Sequence, residues 1–523
     1  MKKETNKKGK KAPLCDKISF AKQKSETEEV LSMYESILQF AQENIKEFEK
    51  VIEKILTGEA DYDDLTKEIH ERVLNLGKRL QVEMLEKLDE EIRNSENRKK
   101  NWTVERRNEP KELLDVMGSI RYQRTGYVHK STGEYTYLLD DILGIEKHQK
   151  ITLGSAAKIL EETIVSSYSR GGKRASETDA ASKQAVKELV HKTEIDMPTP
   201  ILSEKKKQRY LHVVADEDHV AAQFWKNKGD LQKGTNGQKI NTIQPKLICL
   251  YEDVVNASGE TSKNPRYALV GKRYFSGIYK GNAANEKLWK EVLSYIEATY
   301  DTEVLERIYI SGDGAGWIKA GLDVLENSVF VLDKFHMMKY VNTSVAHLGD
   351  SIDDAKEMIW DALNYGDKKE LKRVYEAILR LTENENKREE VTSAFKYFMN
   401  NWSGIRIRVT DAGGIWRCCA EGQVSHVLSD RLSSRPMGWS VKGCDQMAKF
   451  RAYQRNGGDI LELLRFQKKR KKKEERIIQH EELIKELRKK QSGWKYSERF
   501  SKEIPGIEQN SMKWLRDLIN QVV

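Results

Sequence analysis

Apolar residues recur every three or four positions through much of the first hundred residues of the chain. Two such runs, in the stretches 30–55 and 65–88, are separated by Gly58. A period near 3.6 residues is that of an amphipathic helix, and a glycine between two runs is typical of a turn. The pattern therefore predicts a long helical hairpin over residues 25–100, preceded by a disordered basic tail over residues 1–24.

Between residues 101 and 150 the pattern changes to that of strands. Stretches 120–128 and 134–138 are rich in aromatic and β-branched residues, and a glycine-containing turn joins them. This predicts a β-hairpin segment over residues 101–150. Its basic and aromatic side chains either contact a DNA backbone or belong to an ordinary amphipathic hairpin; they are Arg121, Tyr122, Arg124 and Tyr127.

Residues 151–200 return to helical spacing. We expect a helix through 156–167, a turn at 169–173 around two glycines, and a second helix that begins at Ser182, because serine is a strong N-cap. Two helices joined by a turn are either an ordinary helix pair, which is common in proteins, or a helix-turn-helix-like DNA-binding region, and here they lead into a proline-containing linker. The side chains with which the second helix would contact DNA are Lys183, Gln184 and Lys187.

Residues 201–344 alternate apolar strands with helices. The predicted order is three strands, a helix, a strand, a helix and a strand, at 210–215, 246–251, 267–274, 285–299, 304–310, 317–325 and 329–332. This is the order of an RNase H-like α/β core.

Three further segments complete the expected architecture. The charged helical pattern of residues 345–402 predicts a helical insertion, after which residues 403–456 would complete the RNase H-like core. Residues 457–523 would form a basic C-terminal helical region. The expected fold class is therefore a multidomain, α-rich protein that contains an α/β core.

Composition narrows the class of protein. The chain has 523 residues, which suggests three or four folded units, and its 38% hydrophobic content argues against a disordered protein. Its five cysteines form no Cys-x-x-Cys pair, which argues against structural zinc and against a disulfide framework. No apolar run reaches the length of a membrane span, so we expect a cytoplasmic protein without membrane contact.

The charge of the chain is compatible with a nucleic-acid partner. The formal net charge is +9 at pH 7, which either attracts nucleic acid or reflects a lysine-rich proteome. A dense basic block near the C-terminus is costly without an anionic partner, which favours phosphate contact. Its members include Lys468, Lys469, Arg470, Lys471, Lys472 and Lys473.

Two acidic residues lie where predicted strands end. Asp216 follows the first strand of the α/β core and Asp313 follows the fourth, and these strands are neighbours in an RNase H-like sheet. Paired carboxylates suit Mg²⁺ or Mn²⁺, and two such ions can support phosphoryl transfer, usually with a third carboxylate. Each aspartate taken alone would equally be an ordinary turn or capping residue.

Four long strings of this sequence resemble those of the transposases of the Lre-two insertion-sequence family from Firmicutes, which are distant relatives of Mutator-type transposases. The strings cover Ala215–Val220, Tyr309–Trp317, Val331–His336 and Ala420–Trp439. The resemblance extends over roughly residues 25–500 and implies a DDE transposase. Such an enzyme has an RNase H-like core with a helical insertion before the last acid, and it cuts and joins DNA.

The resemblance also implies roles for individual acids. Asp216 matches the first acid, Asp313 the second and Glu421 the third, and these three would bind two Mg²⁺ or Mn²⁺ ions. Asp218 is an alternative for the first acid. Two further acids are alternatives for the third; they are Asp430 and Asp445.

Other residues of the four strings have less certain counterparts. His336 matches a histidine of Mutator-like relatives and would lie near the active site, unless it is a core or capping histidine. Many Mutator-type enzymes have a cysteine where this chain has Asp333, so a role carried over to that segment is an open question. Arg431 and Arg435, in the last string, are candidates for DNA contact.

The expected function is therefore metal-dependent DNA cleavage and strand transfer on the ends of an insertion sequence, by a homodimer or higher homo-oligomer. Two alternatives remain open at this point. Another RNase H-like nuclease, such as a junction resolvase, would give hydrolysed ends and no strand-transfer product. A non-catalytic, transposase-derived DNA-binding protein would not need the three acids.

Overall fold

The computed structural model describes residues 35–195, 202–223, 232–233, 239–240, 242–258, 266–411, 420–435 and 437–474. The expected basic tail, the linker prolines and the C-terminal region after residue 474 lie outside these ranges. No helix in the described ranges is both long and apolar enough to cross a membrane. Residues 1–463 and 464–523 form two compact units, and the elements below belong to the first.

Two long helices, α1 (Glu35–Thr57) and α2 (Tyr62–Asn94), form the N-terminal part of the described chain. Gly58 adopts the left-handed conformation, with φ +77°, at the C-terminal end of α1. A capping box between Asp61 and Asp64 begins α2. Because a helix rises 1.5 Å per residue, the 33 residues of α2 extend over about 50 Å.

A three-stranded antiparallel sheet packs against α2. Its strands are β1 (Trp102–Asp115), β2 (Gly118–His129) and β3 (Tyr135–Thr136). The short helix α3 (Glu96–Asn101) precedes the sheet in the chain, and the helix α4 (Leu138–Leu143) follows it. The buried Asp89 of α2 accepts hydrogen bonds from the backbone and hydroxyl of Thr125 of β2, at 3.0 and 2.6 Å. This bond ties the helix to the sheet.

The suggestion that both tyrosines and both arginines of β2 contact DNA is wrong for three of them. Tyr122 and Tyr127 are fully buried, and Arg124 is an almost fully buried partner of Asp140. Of the four side chains, that of Arg121 is exposed.

Three helices follow: α5 (Leu153–Val165), α6 (Tyr168–Lys173) and α7 (Lys183–Lys192). The hydroxyl of Ser182 caps α7 by accepting a hydrogen bond from the backbone N–H of Ala185 at 3.1 Å. The expected turn at 169–173 is wrong, because this segment is the helix α6.

A five-stranded sheet lies in the part of the chain between residues 210 and 332. In chain order the strands of this region are β4 (Tyr210–Glu217), β5 (Val220–Ala221), β6 (Gln232–Lys233), β7 (Lys239–Ile240), β8 (Thr242–Ile243), β9 (Lys246–Tyr251), β10 (Asp253–Asn256), β11 (Tyr267–Val270), β12 (Arg273–Gly277), β13 (Arg307–Gly312) and β14 (Ser328–Leu332). The order of the strands across the five-stranded sheet is β12-β9-β4-β13-β14. Strands β4, β13 and β14 are parallel, and β9 is antiparallel to both of its neighbours.

The third strand of this sheet differs from the prediction. Residues 267–270 form β11, which pairs with β10 in a separate two-stranded ribbon, and β12 occupies the place beside β9. The residues of β12 from Tyr274 to Gly277 are buried, whereas β11 is mostly exposed, so burial favours β12 as the core strand.

Helices accompany the sheet, and those from Asn282 to Thr410 share one hydrophobic core with it. In chain order they are α8 (Asn282–Thr299), α9 (Gly316–Lys319), α10 (Lys334–Val345), α11 (Ile352–Asn364), α12 (Lys368–Leu381), α13 (Glu385–Asn400), α14 (Trp402–Thr410), α15 (Ala420–Val424), α16 (Asp430–Leu432) and α17 (Val441–Arg455). The predicted helix at 317–325 is the short α9 followed by a 3-10 turn at Ala320–Asp323. Helix α14 packs on β14, and α17 packs on β12 and α7.

Candidate active site and nucleic-acid interface

Three aspartates lie in one row at the carboxyl ends of the parallel strands. The last residue of β13 that pairs with β4 is Ser311, opposite Val214, and the last that pairs with β14 is Gly312, opposite Leu332. Continuing this register by one or two residues places Asp216 beside Asp313, and Asp313 beside Asp333. Neighbouring strands are about 4.8 Å apart, so the three aspartates occupy adjacent positions along one edge of the sheet.

Two glycines permit the close packing around Asp313. A Cβ atom on Gly312 would lie 2.9 Å from the carbonyl oxygen of Ala215, the residue before Asp216. Gly314 has φ +92°, which favours glycine, and a side chain there would collide with Asn401. The sequence Gly-Asp-Gly therefore lets β13 approach β4 and turn sharply at its end.

Burial controls the charge of Asp216. Its side chain is 8% exposed, and this burial raises its pKa to about 7. The negative charge of Asp313 raises the pKa further, while the Glu217 backbone N–H and His336 lower it. A buried carboxyl beside another acid is an arrangement that a bound cation would stabilise.

Asp333 and His336 form the other end of the row. Asp333 is 3% exposed and its carboxylate lies 3.2 Å from Nδ1 of His336. This bond raises the pKa of His336, as do the negative charges of Asp216 and Asp313. In sequence, Asp333 stands out only as a departure from the Mutator pattern, although it directly follows a predicted strand, as the other two aspartates do.

Glu421 does not complete a preassembled metal site. It is exposed in the first turn of α15, and this helix packs against β4 and β9. Among the described residues, no three acidic, histidine or cysteine side chains are close enough to hold one metal ion together. Binding of metal by Glu421 with Asp216 and Asp313 stays a prediction.

The alternative acids have other partners. Both carboxylate oxygens of Asp218 accept a hydrogen bond from the Ser433 hydroxyl, at 3.0 and 2.9 Å. Arg451 donates to Asp430, and Asp445 accepts from the backbone of Ile278 and from Lys449. These contacts join elements of the fold to one another, which favours structural roles for all three acids.

A cationic cavity of about 630 Å³, here called the α7 pocket, lies between α7 and residues 437–442. The predicted DNA-contacting residues Lys183, Gln184 and Lys187 all line it, while Val186 and Val190 of α7 are buried. Arg431, Trp439 and Lys442 also line the cavity, and none of the described residues in its lining is acidic.

The two arginines proposed for DNA contact differ in exposure. Arg431 is 5% exposed, donates to the carbonyl of Thr163 at 3.2 Å and lies over the ring of Trp439. Burial lowers the pKa of its guanidinium to about 10. Arg431 is therefore part of the packing of the pocket wall, whereas Arg435 is exposed.

Comparison with known proteins decides the family. The sequence matches the uncharacterised protein family UPF0236 over residues 56–470. The chain belongs to this family. A UPF0236 protein of Caldanaerobacter subterraneus subsp. tengcongensis is 37% identical over 428 residues, which cover 82% of this chain and 85% of the relative. Another UPF0236 protein of that organism is 36% identical over 454 residues, which cover 86% of each chain.

Two solved structures were found similar to this UPF0236 chain at low scores. One is the Drosophila P element transposase strand transfer complex, with a TM-score of 0.21, 10% identity, and coverage of 63% of this chain and 83% of the other. The other is the Mos1 transposase paired-end complex with left transposon end, with a TM-score of 0.13, 12% identity, and coverage of 52% and 83%.

The basic block of this UPF0236 protein belongs to the second compact unit. Residues 460–474 are helical. Within this helix, Arg470 is followed one turn later by Glu474, and the two side chains are 3.5 Å apart. The exposed members of the block are Lys469, Lys471, Lys472 and Lys473.

Proposed function

We propose that this UPF0236 protein is a DNA transposase of the DDE type, which uses Mg²⁺ or Mn²⁺ to cleave DNA at the ends of an insertion sequence and to join them to a target. The observation that carries the proposal is the row of strand-end carboxyl groups, with Asp216 and Asp313 side by side on neighbouring parallel strands. This is the arrangement that the sequence strings around the two residues implied.

The topology of the sheet supports the proposal. The order β12-β9-β4-β13-β14, with β9 antiparallel to both of its neighbours, corresponds to strands 3-2-1-4-5 of an RNase H-like core. Helices α10 to α14 separate β14 from Glu421 in the chain, as expected for a helical insertion before the last acid.

The residues of the row fit a hard divalent cation. Oxygen ligands from carboxylates are those that Mg²⁺ and Mn²⁺ prefer. The raised pKa of Asp216 reflects burial and the neighbouring charge of Asp313, and a cation bound between them would favour the ionised form of both. We propose Glu421 as the third ligand, brought in when DNA or metal binds.

Bound divalent cations would activate the attacking oxygen and stabilise the leaving oxygen in phosphoryl transfer. Asp216, Asp313 and Glu421 would hold these cations, and the scissile phosphate would lie in line with a water molecule. The water oxygen bonds to phosphorus as it gives up a proton, while the bond to the 3′-oxygen breaks and that oxygen takes up a proton. The 3′-hydroxyl so released would then attack a target phosphodiester, and a target 3′-oxygen would leave. Asp333 would orient His336 towards the phosphate through its bond to Nδ1.

The DNA contacts would come from the cationic surfaces of the protein. The α7 pocket presents Lys183 and Lys187 without an acid in its lining, which suits phosphate oxygens. Arg435 and the basic block of residues 468–473 would add further phosphate contacts.

The test is strand cleavage on DNA that carries the element's end sequence. We expect Asp313→Asn to lower the cleavage rate by at least about 10³-fold, because it removes a ligand charge with little change in size. Chelation of divalent metal should abolish cleavage by the wild-type protein. The matched control is Asp323→Asn, which changes an exposed aspartate ten residues away and should leave the rate unchanged.

Product analysis separates the proposal from its alternatives. A transposase gives both hydrolysed ends and products joined to a target, whereas a resolvase gives hydrolysed ends alone. Equal cleavage by the wild-type and Asp313→Asn proteins would overturn the assignment of the active site.

A further inference from the structure

A second concentration of positive charge lies far from the residues that the sequence singled out. Five basic side chains line an open cavity of about 760 Å³, and the part of the chain that the structure describes contributes no acidic residue to its lining. We call this group the distal cluster; its members are Arg93, Arg98, Lys99, Arg107 and Lys130.

Three separate segments contribute to the distal cluster. The last turn of α2 supplies Arg93, α3 supplies Arg98 and Lys99, and the strands of the hairpin supply the rest. Lys130 follows β2, and its ammonium group donates to the carbonyl of Lys99 at 2.6 Å, which ties the segments together. The fold therefore brings Lys130 beside four basic residues that come from one charged stretch, residues 93–107.

Irregular pairing in β1 directs Arg107 into the cavity. The register between β1 and β2 shifts on both sides of Arg106, and Asn108 has φ +53°. Bulges of this kind change the direction in which neighbouring side chains point. As a result Arg107 lines the cavity, whereas Arg106 does not and is paired with Glu109 at 3.3 Å.

Two acidic residues near the cluster reduce its charge without cancelling it. Glu90 lies 3.5 Å from Arg93, and Glu96 lies 2.7 Å from Lys99, each one helical turn away and largely exposed. Five positive and two negative charges leave a net charge of +3. Exposed pairs of this type are weak, so both basic side chains can turn to a more strongly charged ligand.

The distal cluster lies at the opposite end of the hairpin from the α7 region. At the hairpin turn, the Val116 carbonyl accepts from the backbone of Glu177 at 3.1 Å, and Asp179 accepts from that of Ser119 at 2.7 Å. The residues of β1 from Arg107 to Asp115, at about 3.3 Å each, extend over roughly 26 Å from the cluster to this turn.

We propose that the distal cluster binds the phosphate backbone of duplex DNA as a second contact, separate from the DNA held at the α7 pocket. Its guanidinium and ammonium groups, its open shape and its lack of lining acids suit the backbone rather than base edges. The inference rests on DNA being the ligand, as proposed above, and does not depend on cleavage.

The experiment measures DNA affinity in the presence of EDTA, by fluorescence anisotropy at several salt concentrations. It compares a duplex of about 30 base pairs with a hairpin-capped duplex of about 6 base pairs, which at 3.4 Å per pair is shorter than the stretch of β1 between the cluster and the hairpin turn. We expect the double variant Lys99→Ala/Arg107→Ala to bind the long duplex on the order of 10-fold more weakly at low salt. The number of counterions released on binding, which the salt dependence of the affinity measures, should fall by about two for the long duplex. The affinity of the double variant for the short duplex should change little.

Control variants keep this test specific. Arg106→Ala removes the neighbouring arginine that does not line the cavity, and it should leave the affinity and salt dependence for the long duplex unchanged. Lys99→Arg/Arg107→Lys keeps both charges and should retain the salt dependence of the wild type. If Lys99→Ala disturbs α3, the single Arg107→Ala variant gives the same test, and the number of counterions released on binding should then fall by about one.

Two results would overturn the inference. One is unchanged affinity and salt dependence of the double alanine variant on the long duplex. The other is an equal loss on both duplexes, which would make the cluster the primary site and not a second contact. Normal DNA binding combined with absent cleavage would refute the proposed catalysis and leave this inference intact.

Discussion

His212 lies within β4, where its imidazole ring is stacked between those of Tyr251 and Tyr309 at centroid distances of 5.2 and 5.5 Å. Burial lowers its pKa to about 4, so the folded protein holds it neutral. Asp216, four residues along the same strand, has its pKa raised by burial. The same physical cause thus favours the neutral form of both groups, although their shifts have opposite signs.

The lowered pKa of His212 predicts a dependence of stability on pH. Between about pH 6.5 and pH 4 the unfolded chain binds a proton that the folded chain excludes, so this stabilisation is complete above pH 6.5 and is lost as the pH falls. We expect the contribution of His212 to reduce the free energy of unfolding by about 2 kcal/mol between pH 7 and pH 5. The His212→Phe variant keeps an aromatic ring in the stack but has no group that titrates there. Its free energy of unfolding, measured with denaturant, should therefore not show this part of the decrease between pH 7 and pH 5. The exposed His70→Gln is the control, and equal pH dependence in His212→Phe and wild type would contradict the argument.

At the scale of elements, close packing of short helices explains a pair of glycines that sequence reasoning assigned to a turn. Gly171 and Gly172 are both buried in α6. A Cβ atom on Gly171 would lie 1.9 Å from the Thr163 hydroxyl of α5, and one on Gly172 would lie 2.2 Å from the backbone carbonyl of Ala181. Glycine is needed there because neighbouring backbone occupies the space of a side chain.

Gly172→Ala should therefore destabilise the protein by about 2–3 kcal/mol, since a backbone carbonyl cannot move aside as a side-chain end can. Thermal or denaturant unfolding measures the loss. The control is Gly422→Ala, in α15, where a Cβ atom would meet nothing within 4 Å. That change should be neutral or slightly stabilising, because alanine favours a helix over glycine. Similar stability of the two variants would show that α6 does not need its close contact with Ala181.

At the scale of the whole molecule, the net charge of +9 is less informative than its distribution. Lys183 and Lys187, one helical turn apart on α7, share a cavity that no acid lines, whereas many other basic side chains form pairs with glutamate or aspartate. Local density of unbalanced charge, and not the total, determines where a polyanion binds.

This distinction predicts a difference between two double variants that both lower the net charge from +9 to +7. Lys183→Ala/Lys187→Ala should weaken DNA binding on the order of 10-fold or more and reduce its salt dependence by about two ions. Lys368→Ala/Lys369→Ala, on the exposed start of α12, should change affinity much less. Equal effects in a salt titration would mean that total charge governs binding and that the α7 pocket has no special role.

The sequence alone determined the elements whose cause is local. The 3.6-residue period of the first hundred residues predicted helices where α1 and α2 lie, and apolar runs that end in aspartate predicted acids at the ends of β4 and β13. These features depend on residues close together in the chain, so a pattern of hydrophobic and polar positions is sufficient to find them.

Only the tertiary structure decided which distant residues meet and which faces are buried. It placed Asp333 in the row beside Asp313, buried Tyr122 and Tyr127, and gave Asp218 a partner 215 positions away, in Ser433. It also brought Lys130 beside the basic residues of the stretch 93–107 to form the distal cluster. Strand neighbours and buried faces follow from contacts between remote parts of the chain, and hydrophobic periodicity carries no information about which remote segments pair.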